Sequence, residues 1–135
     1  MRNIVLDTNV FLVSISRNSP NNWILQKLIL EEFVLCVTND IILEYTEIIE
    51  RKMSNEASKI ALDLILNLPN LKLINTYYQF NLLKDADDNK FVDCAIAANA
   101  HYIVTEDSDF KILNQIEFPK IKTATIEQFK LILAL

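Results

Sequence analysis

Residues 3–12 have the sequence NIVLDTNVFL, in which an acidic residue directly follows an apolar run. Residues 4–6 are an uninterrupted apolar run, which predicts a strand covered on both faces of a sheet. Asp7 follows this run directly, although an unpaired carboxylate in an apolar setting is very costly. The stretch therefore predicts that Asp7 either caps a following helix or lies beside a positive charge.

Four further short stretches are predicted strands, at residues 33–37, 71–74, 102–105 and 121–125. Segments with helical spacing separate them, such as residues 38–53, where apolar side chains recur at intervals of three and four. This alternation predicts an α/β fold with a mainly parallel central sheet. In open sheets of this kind, ligands bind beyond the carboxyl ends of the strands.

The composition narrows the possible functions. A chain of 135 residues that is 51% hydrophobic suits a single domain, residues 1–135, with a real core. Glycine is absent, which excludes P-loop and GxGxxG nucleotide sites and predicts Asn or Asp wherever a turn needs a positive φ. Cys36 and Cys94 form no CxxC and His101 is the one histidine, so a Cys/His zinc site is excluded and both thiols are expected to be buried and reduced.

The predicted location is the cytoplasm, as a soluble protein. The sequence contains no run of about 18 apolar residues that could span a bilayer, and its first residues do not resemble a signal peptide. The net charge of −5 argues against a protein that coats nucleic acid. It is compatible with a nucleic-acid enzyme whose carboxylates bind divalent cations.

Carboxylates follow the predicted strands in four separate segments. Asp7 comes after the first strand, Glu44 lies in the helix after the second, Asp93 lies in an Ala-rich helix after the third, and Asp107 comes after the fourth. Four carboxylates at one sheet edge would repel one another strongly unless a cation lay between them. Oxygen ligands with little nitrogen or sulfur indicate Mg²⁺ or Mn²⁺.

The segments IVLDTNVFL and DNKFVDCAIAANAHYIVTEDSDF strongly resemble the PIN domain family, in particular the PIN nucleases related to VapC-type toxins. The resemblance extends from residue 3 to about residue 130, and four motifs occur in the expected order. They are Asp-Thr-Asn at residues 7–9, IILEY at 41–45, D-x-x-I-A-A-x-A at 93–100 and IVTEDSDF at 103–110. The resemblance implies an α/β/α sandwich and a metal-dependent ribonuclease that is the toxin of a toxin–antitoxin pair.

The resemblance also implies roles for individual residues. The catalytic and metal-binding quartet would be Asp7, Glu44, Asp93 and Asp107, with Mg²⁺ or Mn²⁺. Thr8, Asn9 and Thr105 would orient these carboxylates, and Asp88 and Asp109 are possible rival ligands. Arg17 and Lys90 are the expected phosphate contacts because they lie close in sequence to Asp7 and Asp93. An RNA substrate, an antitoxin and a homodimer are the implied partners.

One departure from the family pattern leaves an alternative open. Position 106 is often Arg or Gly in relatives, whereas this chain has Glu106, whose charge would oppose RNA binding near the site. The alternative is a catalytically weak PIN-like module that binds RNA or a protein. Tyr77, Tyr78 and Phe80 are expected in the core or in an interface rather than as base-stacking residues.

Overall fold

The computed structural model describes residues 1–134, which form a five-stranded sheet with helices around it. All four strand pairings are parallel, and the order across the sheet is β3-β2-β1-β4-β5. The strands are β1 (Asn3–Leu6), β2 (Val34–Val37), β3 (Leu71–Leu73), β4 (Tyr102–Val104) and β5 (Thr123–Ala124). The predicted α/β fold and its parallel sheet are confirmed.

The helices divide between the two faces of the sheet. They are α1 (Thr8–Ile15), α2 (Trp23–Ile29), α3 (Asn39–Lys52), α4 (Asn55–Leu66), α5 (Asn89–Ala98) and α6 (Ile126–Ala134), with 3₁₀ segments at Ala86–Asp88 and Ser108–Gln115. The chain runs outward from β1 through β2 to β3, then returns to β4 on the other side of β1. Right-handed crossovers in opposite directions place the connecting helices on opposite faces, which gives the three-layer sandwich.

The central strand explains the acidic residue that follows it. Ile4, Val5 and Leu6 are fully buried, and Asp7 itself is only 7% exposed. The Asp7 Oδ1 atom accepts a hydrogen bond of 2.8 Å from the Val10 N–H and so caps α1. Of the two expectations for Asp7, helix capping is therefore confirmed, and its carboxylate is fixed at the middle of the sheet edge.

In this chain without glycine, two of the three described positions with a positive φ are asparagines. Asn81 and Asn99 have φ values of 52° and 50°, and Asn99 ends α5 in the left-handed conformation. Glu31, with φ of 59°, is a third such position and was not expected from the sequence. Cys36 and Cys94 are free and buried, as predicted. Within residues 1–134, no helix has the length and apolar character that crossing a membrane requires.

Candidate active site

An acidic cleft of about 310 Å³ lies at the carboxyl edge of the sheet. It forms where the strand order reverses, between β1 and β4, which is the place where open parallel sheets bind ligands. The carboxylates of the acidic cleft are Asp7, Glu44, Asp88 and Asp107, and Arg51 and Lys52 line it as well. The structure thus brings together three members of the expected quartet and one of the two rivals.

Thr105 connects the ends of β1 and β4. Its hydroxyl donates a hydrogen bond to Asp7 Oδ2 and accepts one of 3.0 Å from the Asp107 N–H. Asp107 in turn accepts a bond of 2.9 Å from the Asp109 N–H, which fixes the turn after β4. One buried hydroxyl therefore sets the position of Asp7 relative to Asp107.

The electrostatics at Asp7 favour a nearby positive charge. Burial raises the pKa of Asp7, and the hydrogen bonds from Thr105 and the Val10 N–H offset this only in part. The charges of Asp107 and Glu106 raise the pKa of Asp7 further. A cation in the cleft would stabilise the ionised form of this carboxylate.

Glu44 is held by two partners. The Thr8 hydroxyl donates a hydrogen bond to Glu44 Oε2, and Lys90 Nζ lies 2.6 Å from Glu44 Oε1. Both charged side chains are about three-quarters buried, with 24% of Lys90 and 23% of Glu44 exposed. Lys90, expected to contact phosphate, is therefore engaged with Glu44 in the structure. Asn9, on the first turn of α1, lines the acidic cleft and is exposed.

Asp88 belongs to a cluster of three carboxylates. One oxygen from each of Asp88, Asp107 and Asp109 lies within 4.8 Å of the others. Burial raises the pKa of Asp88 to about 6, and the carboxylates of Asp85 and Asp107 add to the rise. Mutually repelling carboxylate oxygens are the donor set that a hard divalent cation binds, so these residues fit the metal that the sequence implies.

Asp93 faces a different part of the molecule. Its Oδ1 atom accepts a hydrogen bond of 3.1 Å from the Phe80 N–H, and it lines a separate cavity together with Asp40. Burial raises the pKa of Asp93, and the Phe80 N–H partly offsets this. Asp88 and Asp93 are five residues apart, which on a helix places their side chains about 140° apart around the axis. Asp88 therefore reaches the acidic cleft and Asp93 does not.

The cations of the cleft differ from those expected. Arg17 lines another cavity, among apolar residues that include Leu25 and Met53. Arg51 and Lys52, in the last turn of α3, line the acidic cleft instead. The sequence did contain a signal for Arg51, because it follows Glu44 by seven residues and so lies about two turns along the same face of α3.

Glu106 has a partner outside the cleft. Its Oε1 atom accepts a hydrogen bond of 2.7 Å from the Ile126 N–H, which is the first backbone donor of α6. A carboxylate at a helix N-terminus interacts favourably with the helix dipole. The Glu106 carboxylate, which was expected to oppose RNA binding, is thus directed at α6.

Comparison with known proteins gives one family and several similar folds. A family model for the PIN domain matches residues 3–109. VapBC2 from Rickettsia felis, bound to a promoter DNA fragment, has a TM-score of 0.63 at 18% identity, covering 91% of this chain and 98% of that one. VapC20 of Mycobacterium tuberculosis is described as a sarcin-ricin loop cleaving toxin. Its TM-score is 0.61 at 11% sequence identity, and the match covers 81% of this chain and 93% of that one. The PIN domain endonuclease Utp24 has a TM-score of 0.54 at 14% sequence identity, and the match covers 91% of this chain and 84% of that one. No curated protein matches the sequence.

The raised pKa of Asp88 predicts a loss of stability with rising pH in metal-free protein. An ordinary Asp has a pKa of about 3.8, whereas folded Asp88 has about 6. Between about pH 4 and pH 6 the folded state keeps a proton that the unfolded chain releases, so the free energy of unfolding falls as pH rises. The Asp88→Asn variant should lose less stability across this interval than the unsubstituted protein.

Urea unfolding at pH 4.5 and pH 7, with a chelator present, measures this difference. Asp63→Asn, on the exposed surface of α4, is the matched control and should follow the unsubstituted protein. Equal pH dependence in Asp88→Asn and Asp63→Asn would contradict the assignment of a raised pKa to Asp88.

Proposed function

The chain belongs to the PIN domain family, and from this we propose that it is a divalent-metal-dependent endoribonuclease that hydrolyses RNA phosphodiester bonds. The observation that carries the proposal is the convergence of Asp7, Asp88 and Asp107 at the point where the strand order reverses. We further propose that it acts in the cytoplasm as a toxin, forms a homodimer and is bound by an antitoxin. The likeness to the VapC20 toxin and to VapBC complexes supports this finer proposal.

Asp7, Asp88 and Asp107 are the residues proposed to hold Mg²⁺ or Mn²⁺, with Asp109 and Glu44 beside them. These ions prefer carboxylate oxygens and retain several waters. A divalent cation bound there would polarise the scissile phosphate and promote deprotonation of the attacking water. The raised pKa values of Asp7 and Asp88 support the assignment, because both carboxylates would gain from a neighbouring positive charge.

The other residues of the acidic cleft would keep these carboxylates in position and bind the substrate. Thr105 orients Asp7, and Thr8 orients Glu44, through the hydrogen bonds described above. Arg51 and Lys52 are proposed to contact RNA phosphates, because they are the cationic side chains of α3 that line the cleft. Such contacts position the backbone of a nucleic acid without reading its sequence.

Asp93 has a different role in this proposal from the one expected. The sequence resemblance placed it in the metal-binding quartet, whereas the structure favours Asp88 in that position. Asp93 is proposed to fix the segment after β3 through its bond to the Phe80 N–H.

The alternative is a catalytically weak module that binds RNA or a protein. The Lys90–Glu44 ion pair favours this alternative, because it occupies one carboxylate of the acidic cleft. The alternative predicts no metal-dependent cleavage by a folded protein.

The cleavage of a labelled single-stranded RNA with Mg²⁺ or Mn²⁺ distinguishes these possibilities. Asp88→Asn should lower the cleavage rate by about 100-fold or more, because it removes a proposed metal ligand. Asp93→Asn should retain most of the rate, since Asp93 faces another cavity. A chelator should abolish cleavage, and Asp63→Asn should leave the rate unchanged. Loss of cleavage in Asp93→Asn but not in Asp88→Asn would instead support the quartet expected from the sequence.

The proposed phosphate contacts predict an effect on substrate affinity. Arg51→Ala should raise KM for RNA by several-fold with a smaller change in kcat, and should reduce the dependence of binding on salt. Arg17→Ala is the matched control, because Arg17 lines a cavity away from the acidic cleft. Initial rates at several RNA and salt concentrations measure both effects. A larger KM change in Arg17→Ala than in Arg51→Ala would show that the cations have been assigned wrongly.

A further inference from the structure

The segment that follows β3 exposes three aromatic side chains. In this aromatic loop, residues 75–82, Tyr77 is 83% exposed, Tyr78 is 75% exposed and Phe80 is 38% exposed. The sequence placed these residues in the core or in an interface, and the core placement is wrong. The rings of Tyr78 and Phe80 lie 6.4 Å apart with an angle of 53° between their planes, so they form a pair on the surface.

Hydrogen bonds hold the aromatic loop at Phe80 and at the residues that flank it, Ile74 and Leu83. The Phe80 N–H donates to Asp93 Oδ1 at 3.1 Å, and the Ile74 N–H donates to the Val37 carbonyl at 2.7 Å. Beyond the loop, the side-chain amide of Asn89 bonds both the N–H and the carbonyl of Leu83. A surface held in this way is organised before a ligand arrives, which reduces the entropy lost on binding.

A polar cavity of about 300 Å³ lies beside the loop, and Gln79, Asn81 and Asp93 line it. Amide and carboxylate groups of this kind can form hydrogen bonds with the edges of unpaired bases. Lys90 also lines the polar cavity and forms the ion pair with Glu44 of the acidic cleft. The polar cavity and the acidic cleft are therefore adjacent, with the Lys90–Glu44 pair between them.

We propose that the aromatic loop and the polar cavity bind a nucleobase of single-stranded RNA, next to the phosphate in the acidic cleft. Tyr78 would stack on the base with Phe80 beside it, and Gln79 and Asn81 would contact the edge of the base. Single-stranded RNA fits because its unpaired bases can turn outward onto aromatic side chains, which paired bases cannot do. This inference rests on the proposed ribonuclease function and names a binding site for its substrate.

The test measures RNA binding separately from cleavage. In the Asp88→Asn background, with Mg²⁺ present, fluorescence anisotropy gives the Kd for a labelled ten-nucleotide single-stranded RNA. Tyr78→Leu should raise this Kd about tenfold, whereas Tyr78→Phe, which keeps the ring, should stay within about twofold. On an abasic oligonucleotide of the same length, Tyr78→Leu should have no effect, because no base is present to stack.

Phe118→Leu is the matched control. Phe118 is 90% exposed and lies in the connection to β5, at the other edge of the sheet from β3. The Phe118→Leu variant should bind the RNA with the same Kd as the protein without this change. Circular dichroism and urea unfolding of each variant establish that the exposed substitutions leave the fold intact.

Two results would overturn the inference. One is an unchanged Kd in Tyr78→Leu, as expected if the aromatic pair contacts a protein instead. The other is an equal loss of affinity for the abasic oligonucleotide. Tyr78-dependent binding by a protein that does not cleave RNA would overturn the proposed function alone. Normal cleavage with a Kd that does not depend on Tyr78 would overturn this inference alone.

Discussion

The buried carboxylate of Asp7 joins the elements that form the acidic cleft. It follows the central strand, and both of its oxygens have partners, the Val10 N–H on one and the Thr105 hydroxyl on the other. The first contact fixes where α1 begins, and the second fixes the turn after β4 that carries Asp107. Burial nevertheless raises the pKa of Asp7, so a nearby cation would stabilise the ionised carboxylate further.

The carboxylates around Asp7 differ in whether they form an ion pair. Glu44 has an ion pair with Lys90, whereas Asp88 and Asp107 form no salt bridge within residues 1–134. Asp88 consequently has the pKa of about 6 that burial and like charges produce. The side of the cleft that carries Asp88 and Asp107 is therefore best suited to bind a divalent ion. The Lys90–Glu44 ion pair separates the acidic cleft from the polar cavity.

The fold could be predicted from the sequence because apolar runs mark β1, β2 and β4, and Asp7 marks the end of the central strand. Thr105 and Asp107 lie at or just after the end of the fourth strand, so their place at the sheet edge could be predicted too. Which of Asp88 and Asp93 lines the acidic cleft could not be predicted from the sequence. It depends on where α5 begins and on how the preceding 3₁₀ turn orients Asp88. The cavity that Arg17 lines likewise depends on how the helices pack, which nearness in sequence does not indicate.

The position of a bound metal ion would show directly whether Asp88 or Asp93 belongs to the metal site. Crystals of the protein soaked in Mn²⁺ and measured at the manganese absorption edge would locate the ion by anomalous scattering. We expect a peak bound by Asp7, Asp88 and Asp107, and no peak at Asp93. A peak bound by Asp93, or no peak in the acidic cleft at saturating Mn²⁺, would contradict this expectation.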